Sequence, residues 1–272
     1  MNALTQYSNY KKVLLDASSG DRLAIRRGEY TGSTSGLAPG FVQGNVVILP
    51  AAYADDFFTF CHKNPTPCPL IAVSEVGDPS LPELGSSLDI RYDIPEYLTF
   101  RDGVRAESLN NLETVWRDDL VTFVLGCSFS FEDALQSAGI SVRNIDSCVN
   151  VSMFRTNIPT TPVGPFKGNL VVTMRPFSAR DAIRAVQITT RLPKAHGAPV
   201  HLGDPAQIGI RDLSQPEFGD PVDIKPGEMP VYWGCGVTTQ VALEGAKLPF
   251  AITHAPGKML ITERLNEELA VL

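Results

Sequence analysis

Apolar and polar positions along this chain fall into short blocks that switch between two periods. Compact apolar runs at Asn45–Leu49, Leu70–Ser74, Asp119–Leu125, Cys148–Arg155, Leu170–Thr173, Val186–Arg191, Val231–Trp233 and Phe250–Thr253 predict strands. Between them, residues at helical spacing predict helices over Tyr10–Leu15, Arg22–Arg27, Ala54–His62, Ala179–Ala185 and Thr238–Glu244. Pro50 separates the first strand from its helix, and Pro65, Pro67 and Pro69 close that unit, because proline cannot continue a helix. Ser130-Phe131-Glu132-Asp133 reads as another helix start, with Ser130 placed to accept from the Asp133 backbone N–H and two acids favouring the positive helix end. Val76–Gly103, rich in Gly, Pro and Asp, predicts a long, partly extended connection.

Two segments say nearly the same thing. GFVQGN (Gly40–Asn45) runs into Val46–Leu49, Ala54–Phe58 and Gly77-Asp78-Pro79; GPFKGN (Gly164–Asn169) runs into Leu170–Val172, Ala179–Ile183 and Gly203-Asp204-Pro205. A second pair, VTFVLGCSFSFE from Val121 and VYWGCGVTTQ from Val231, places Gly-Cys after an apolar run both times. The pattern predicts a mixed α/β and α+β fold, internally duplicated and two-lobed, with a larger three-layer lobe and an inserted two-layer lobe. The preferred division is 1–115 plus 200–272 for the larger lobe and 116–199 for the insert, with Val121 and Gly164 segments forming one plait; sequential halves, 1–150 and 151–272, are the alternative. Either way a cleft between the lobes is expected to receive a cysteine from each copy.

Composition narrows the function classes. With 272 residues, 43% of them hydrophobic, the chain can bury a large core. A net charge of −7 lacks the clustered Lys and Arg that phosphate backbones require, which argues against nucleic acid as partner. No apolar run reaches membrane-spanning length and the N-terminus has no secretory apolar region, so cytoplasmic residence and no membrane partner are expected. Cys61, Cys68, Cys127, Cys148 and Cys235 are odd in number and lack CxxC spacing, and free thiols follow. The size is compatible with a monomer or a homodimer.

Cys127 and Cys235 stand out as catalytic candidates, since each falls between a strand end and a helix start, where backbone N–H groups and the helix dipole stabilise a thiolate. The bland alternative is a buried inert thiol. Ser128 and Ser130 beside the first offer hydroxyls for a substrate oxygen, and Thr238 or Thr239 beside the second can cap the helix. His196, His201 and His254 lie in loops with the pKa range for acid–base work at neutral pH. Arg155-Thr156-Asn157 and Arg175-Pro176 follow strands and present guanidinium forks suited to a carboxylate, the plainer alternative for either Arg being a surface ion pair. Asp78 and Asp204 read as turn residues. The glycines Gly28, Gly32, Gly36 and Gly40 precede the first strand and lack the Gly-Lys-Ser/Thr ending of a phosphate loop. His196 and His201 do not have one-turn helical spacing, and no HExxH or CxxC accompanies them, so neither a metal nor another cofactor is expected.

Several strings are uncommon and occur in order: RRGEYTGSTSGLAPGFVQGNVVILP (Arg26–Pro50), DFFTFCHKNPTPCPL (Asp56–Leu70), WRDDLVTFVLGCSFSFEDAL (Trp116–Leu135), VSMFRTNIP (Val151–Pro159), HGAPVHLGDP (His196–Pro205), VYWGCGVTTQ and ITHAPGKM (Ile252–Met259). Through them the chain resembles, nearly end to end, the hydro-lyase family related to D-glutamate cyclase. The resemblance implies a cofactor-independent lyase acting on a small amino or carboxylic acid. A larger relative, with a domain absent here, interconverts D-glutamate with 5-oxo-D-proline and water. On that reading Arg155 and Arg175 hold carboxylates, helix starts after Cys127 and Cys235 form an oxyanion pocket, and His201 with Cys127 moves protons; Ser128, Ser130, Thr156, Thr238 and His254 complete the substrate contacts. Two other classes stay open: a cofactor-free racemase using paired cysteines, and a non-catalytic binder of small carboxylates.

Overall fold

The structure is a computed structural model that describes residues 18–271. The helix predicted over Tyr10–Leu15 lies outside the described residues. Its neighbour is present as α1, helical over residues 18–26.

A seven-stranded antiparallel sheet forms the larger layer. Its centre is β1 (Phe41–Pro50), flanked on one edge by β5 (Leu120–Gly126) and β2 (Leu70–Val73) and on the other by β10 (Ala251–His254), β3 (Tyr97–Arg101) and β4 (Val104–Leu109). β11 (Leu260–Leu265) also pairs with β1, opposite its first residues. Every residue of β1 is buried because the sheet is covered on both faces. Val47 and Leu49 point to Phe57 and Phe60 of α2 (Ala54–Lys63) and to Ala242 and Leu243 of α6 (Thr238–Ala246). Val46 and Ile48 point the other way, onto Leu81, Leu84, Leu88, Ile90 and Ile94. The Gly/Pro-rich connection is therefore a covering layer: it has no strand before Tyr97, but its aliphatic side chains cap the sheet.

A four-stranded antiparallel sheet, in the order β6 (Ser152–Pro159), β7 (Asn169–Ser178), β9 (Glu228–Gly234) and β8 (His201–Leu202), comes wholly from chain between β5 and β10. One face carries Phe177, Val231 and Trp233, packed on Phe131 and Leu135 of α3 (Phe129–Ser137) and on Ala182 and Ala185 of α5 (Ala179–Thr190). The other face carries Phe154, Val172, Met174 and Tyr232 under Ile208 and Ile210. A short α4 (Arg143–Asp146) follows α3.

Three expectations change. Val186–Arg191 was expected as a strand, but α5 continues through Thr190, since Ala182, Ala185 and Thr189 fall on one buried helical stripe. The expected plait of Val121 and Gly164 segments is not the pairing seen: β5 pairs with β1 and β2, and β7 with β6 and β9. The repeated segments do recur as strand-then-helix units, yet Gly126 faces Gly44 whereas Gly234 faces Val172 rather than Gly168, so the two pairs do not share a register.

Close approach of backbone explains one glycine. A Cβ on Gly126 would sit 1.6 Å from the Lys194 carbonyl oxygen, so only glycine lets the Pro193–Ala195 turn lie on the end of β5. Gly126→Ala should destabilise the fold by about 1–3 kcal/mol through overpacking, whereas Gly20→Ala, on an exposed helical position with nothing within 4 Å, should stabilise by about 0.5–1 kcal/mol. Urea denaturation of the two variants checks this pair; equal effects would remove the steric argument.

Candidate active site

The two Gly-Cys junctions meet. Cys127 follows β5 and opens α3; Cys235 follows β9 and opens α6; both belong to one buried cluster with Phe129, Met153, Val171, Val237 and Met259. Each sulfur is approached by the backbone N–H two residues on, Phe129 for Cys127 and Val237 for Cys235. Burial nevertheless dominates. It pushes the Cys127 thiol up to about 12, against the Phe129 N–H and Arg175, with Cys235 and Glu132 adding to the rise. Burial takes Cys235 up to about 11, opposed by the Val237 N–H and Arg175. Both groups are thus protonated thiols at neutral pH, unlike the thiolates that helix starts alone would favour.

Arg175, on β7, is fully buried beside them. Its Nε donates to Glu132 Oε1 at 2.9 Å, Nη1 to Thr173 Oγ1 at 2.9 Å, and Nη2 to Ser128 Oγ at 3.0 Å and also to Glu132. The guanidinium stacks over Phe131 and Trp233, 4.8 and 5.7 Å from their ring centres. Asn144 adds a bond to the same Glu132 oxygen, at 3.2 Å. The fork expected to grip a carboxylate is therefore taken up by Glu132, a residue that the sequence marked only as a helix-start acid.

Asn45 was also missed. Its Nδ2 donates to the Gly126 carbonyl at 2.7 Å, and a Cβ on Gly236 would lie 2.3 Å from its side chain. One amide thus touches both Gly-Cys junctions. Its only sequence signal was membership of the repeated Gly-Asn. His196 is buried, holds a left-handed backbone (φ 74°), and shares a hydrogen bond of 2.8 Å between Nδ1 and the Thr66 carbonyl oxygen. Burial lowers it to about 4, opposed by the Thr66 bond and helped by Arg175. His254 accepts at Nδ1 from the Val46 N–H at 3.1 Å, and burial lowers it to about 4 as well. Both imidazoles are neutral at physiological pH.

The remaining candidates lie elsewhere. His201 pairs with Tyr232 and stacks on its ring, on the sheet face opposite Trp233, and its Nε2 is 2.8 Å from the Asp204 carbonyl oxygen. The structure does not bring it to the thiols. Thr156 is on that face too, donating to the Leu170 carbonyl. Arg155 pairs with Glu244 at 2.9 Å on a half-exposed rim and stacks on Phe218. Thr238 Oγ1 accepts from the Val171 N–H at 2.9 Å and so ties α6 to β7. Ser130 does not cap a helix: it lies inside α3, buried, with its Oγ unpartnered. Asp78 and Asp204 are turn residues, accepting from the N–H groups of Ser80 and Ala206. Among the described residues no cluster of three or more His, Cys, Asp or Glu is arranged to hold a metal, and no helix is long and apolar enough to cross a membrane.

The sequence profile of the D-glutamate cyclase family matches residues 121–263, a span that contains both junctions. The chain is similar to provisionally named hydro-lyases: 57% identical to one from Bordetella petrii over 92% of this chain and 95% of the relative, 59% to one from Aliivibrio fischeri (92% and 94%), and 55% to one from Shewanella woodyi (96% and 97%).

Thiols with raised pKa values should alkylate slowly. After exposed Cys148 has reacted, iodoacetamide modification of Cys127 and Cys235, followed by peptide mass spectrometry, is expected to accelerate about tenfold per unit from about pH 7 to 10; a plateau near pH 8 would contradict protonated thiols. Arg175→Met leaves Glu132 buried without its cation and should cost about 3–5 kcal/mol in urea denaturation, of which the double replacement Arg175→Met/Glu132→Leu recovers a substantial part.

Proposed function

Because the chain belongs to the D-glutamate cyclase family, we propose that it is a hydro-lyase interconverting a small amino acid with its cyclic amide and water, with D-glutamate and 5-oxo-D-proline as the leading pair. The observation that supports this reading most directly is the meeting of two protonated thiols, each at a helix start, in the junction between the sheets. In the cyclising direction the amine nitrogen, in its uncharged form, attacks the side-chain carboxyl carbon; a C–N bond forms, a C–O bond breaks and hydroxide departs. A thiol near 11 or 12 is a stronger acid than water, so giving the departing hydroxide its proton is downhill. The thiolate left behind faces the N–H groups that open α3 or α6, and the proton shed by nitrogen restores it. Arg175 contributes by holding Ser128 and α3 in place, since its own donors are engaged within the protein.

The thiol pair also favours a second reading, a cofactor-independent epimerase in which one sulfur removes the α-proton and the other returns it from the opposite face. That requires one sulfur to be ionised, which their burial opposes.

Proton NMR of the protein with D-glutamate or 5-oxo-D-proline in deuterated water separates these readings, with the L forms as controls. Ring closure or opening by the intact protein is expected, falling by roughly a hundredfold or more in Cys127→Ala or Cys235→Ala. Deuteration at the α-carbon without ring closure would instead favour the epimerase, and conversion at full rate in both variants would remove the thiols from the mechanism.

A further inference from the structure

A partly open pocket of about 110 Å³ lies between the glycine-rich loop, Gly36–Phe41, and the first turns of α3. A single water needs about 10–15 Å³ of such space, so the pocket has room for a group of several atoms. Its buried unpartnered polar atoms are acceptors. Gln43 is 3% exposed, and its Nε2 donates to the carbonyl oxygens of Thr34 and Leu37 at 2.9 and 3.0 Å. Two carbonyl neighbours fix the orientation of that amide, leaving Oε1 buried and unpartnered. Asn266 repeats the arrangement: its Nδ2 donates to Asp133, and its Oδ1 is buried without a partner.

Glu132, Asp133 and Gln136 add to the polar wall, and Gln136 is its one exposed amide. Glu132 is compensated by Arg175, but Asp133 has no cationic partner among the described residues. No Lys, Arg or His of the described residues lines the space, and Phe41 and Phe129 supply ring surface. Two orphaned amide oxygens, one uncompensated carboxylate and aromatic walls form a donor-hungry, cation-favouring environment.

We propose that this pocket receives a primary ammonium group, the amine end of an amino-acid ligand. Which amino acid enters rests on the reaction proposed above; the preference for an ammonium does not. The pocket shares Phe129 and Glu132 with the surroundings of Cys127, so it adjoins the thiol junction. The glycine-rich loop then has a role beyond linking α1 to β1, because it forms the outer wall of the amine subsite.

Thermal unfolding of the whole protein in methylammonium chloride tests this without any turnover, with sodium chloride, potassium chloride and tetramethylammonium chloride at matched ionic strength. Expected is a saturable rise in Tm with methylammonium and none with tetramethylammonium, which has no N–H to donate. Asp133→Asn and Asn266→Ala should each raise the half-saturating concentration about tenfold. The proposal is overturned by no saturable rise, by equal rises in all salts, by a potassium response matching that of methylammonium, or by methylammonium curves unchanged in both variants. Failure of the NMR experiment with a positive result here would reject the reaction while keeping the amine site.

Discussion

Burying a guanidinium is expensive unless every face of it is matched, and the centre of this molecule is arranged around doing so for Arg175. The residue sits on β7, in the second sheet, while Glu132 and Ser128, which engage it, sit at and just before the start of α3, the helix that leaves the first sheet. The pair therefore connects the two sheets at the point where β5 and β9 both end. Displacing α3 would separate two buried charges, each without solvent, so the pair penalises alternative placements of that helix. Where α3 goes, Cys127 goes. Its placement beside Cys235 is a consequence of the charge pair as much as of the apolar contacts around both sulfurs.

The same crowding that fixes the thiols sets their protonation. A cysteine at a helix start is ordinarily read as an activated nucleophile, yet here desolvation outweighs the N–H groups and the nearby cation. Two buried histidines are pushed in the complementary direction and stay neutral. The junction is thus a low-charge region held beside one compensated ion pair, a setting for proton transfer within a shielded pocket rather than for covalent attack by a standing thiolate.

Most of the architecture was legible because the apolar blocks are short and proline-bounded: β1, α2, β5, β7, β9, α6 and β10 each overlap a predicted segment. β3 and β4 were missed although Asp102-Gly103, with both residues at positive φ, is a standard hairpin turn between them. Val186–Thr190 misled because β-branched residues mimic a strand, while its burial stripe is helical. At the site, Cys127, Cys235 and Ser128 could be picked out from spacing and prove to be neighbours. His201 could not be placed, because whether a strand residue faces one side of a sheet or the other depends on a register that the sequence does not carry. Asn45, Glu132 and Gln43 went unread for a related reason: their importance lies in partners 81, or 43, residues away, or in having an atom with no partner at all.

The order of strands in the two sheets also bears on how the molecule is made. The second sheet is complete as soon as β9 has been synthesised, since all four of its strands are contiguous in the chain. The first sheet cannot close then: one edge of β1, its central strand, waits for β10 and β11, which follow β9. Until they arrive, a strand that is wholly buried in the folded protein presents an unpaired edge. β10 and β11 thus act as the closing clasp of the larger sheet, so that losing them would leave an aggregation-prone edge on β1 rather than a slightly smaller protein.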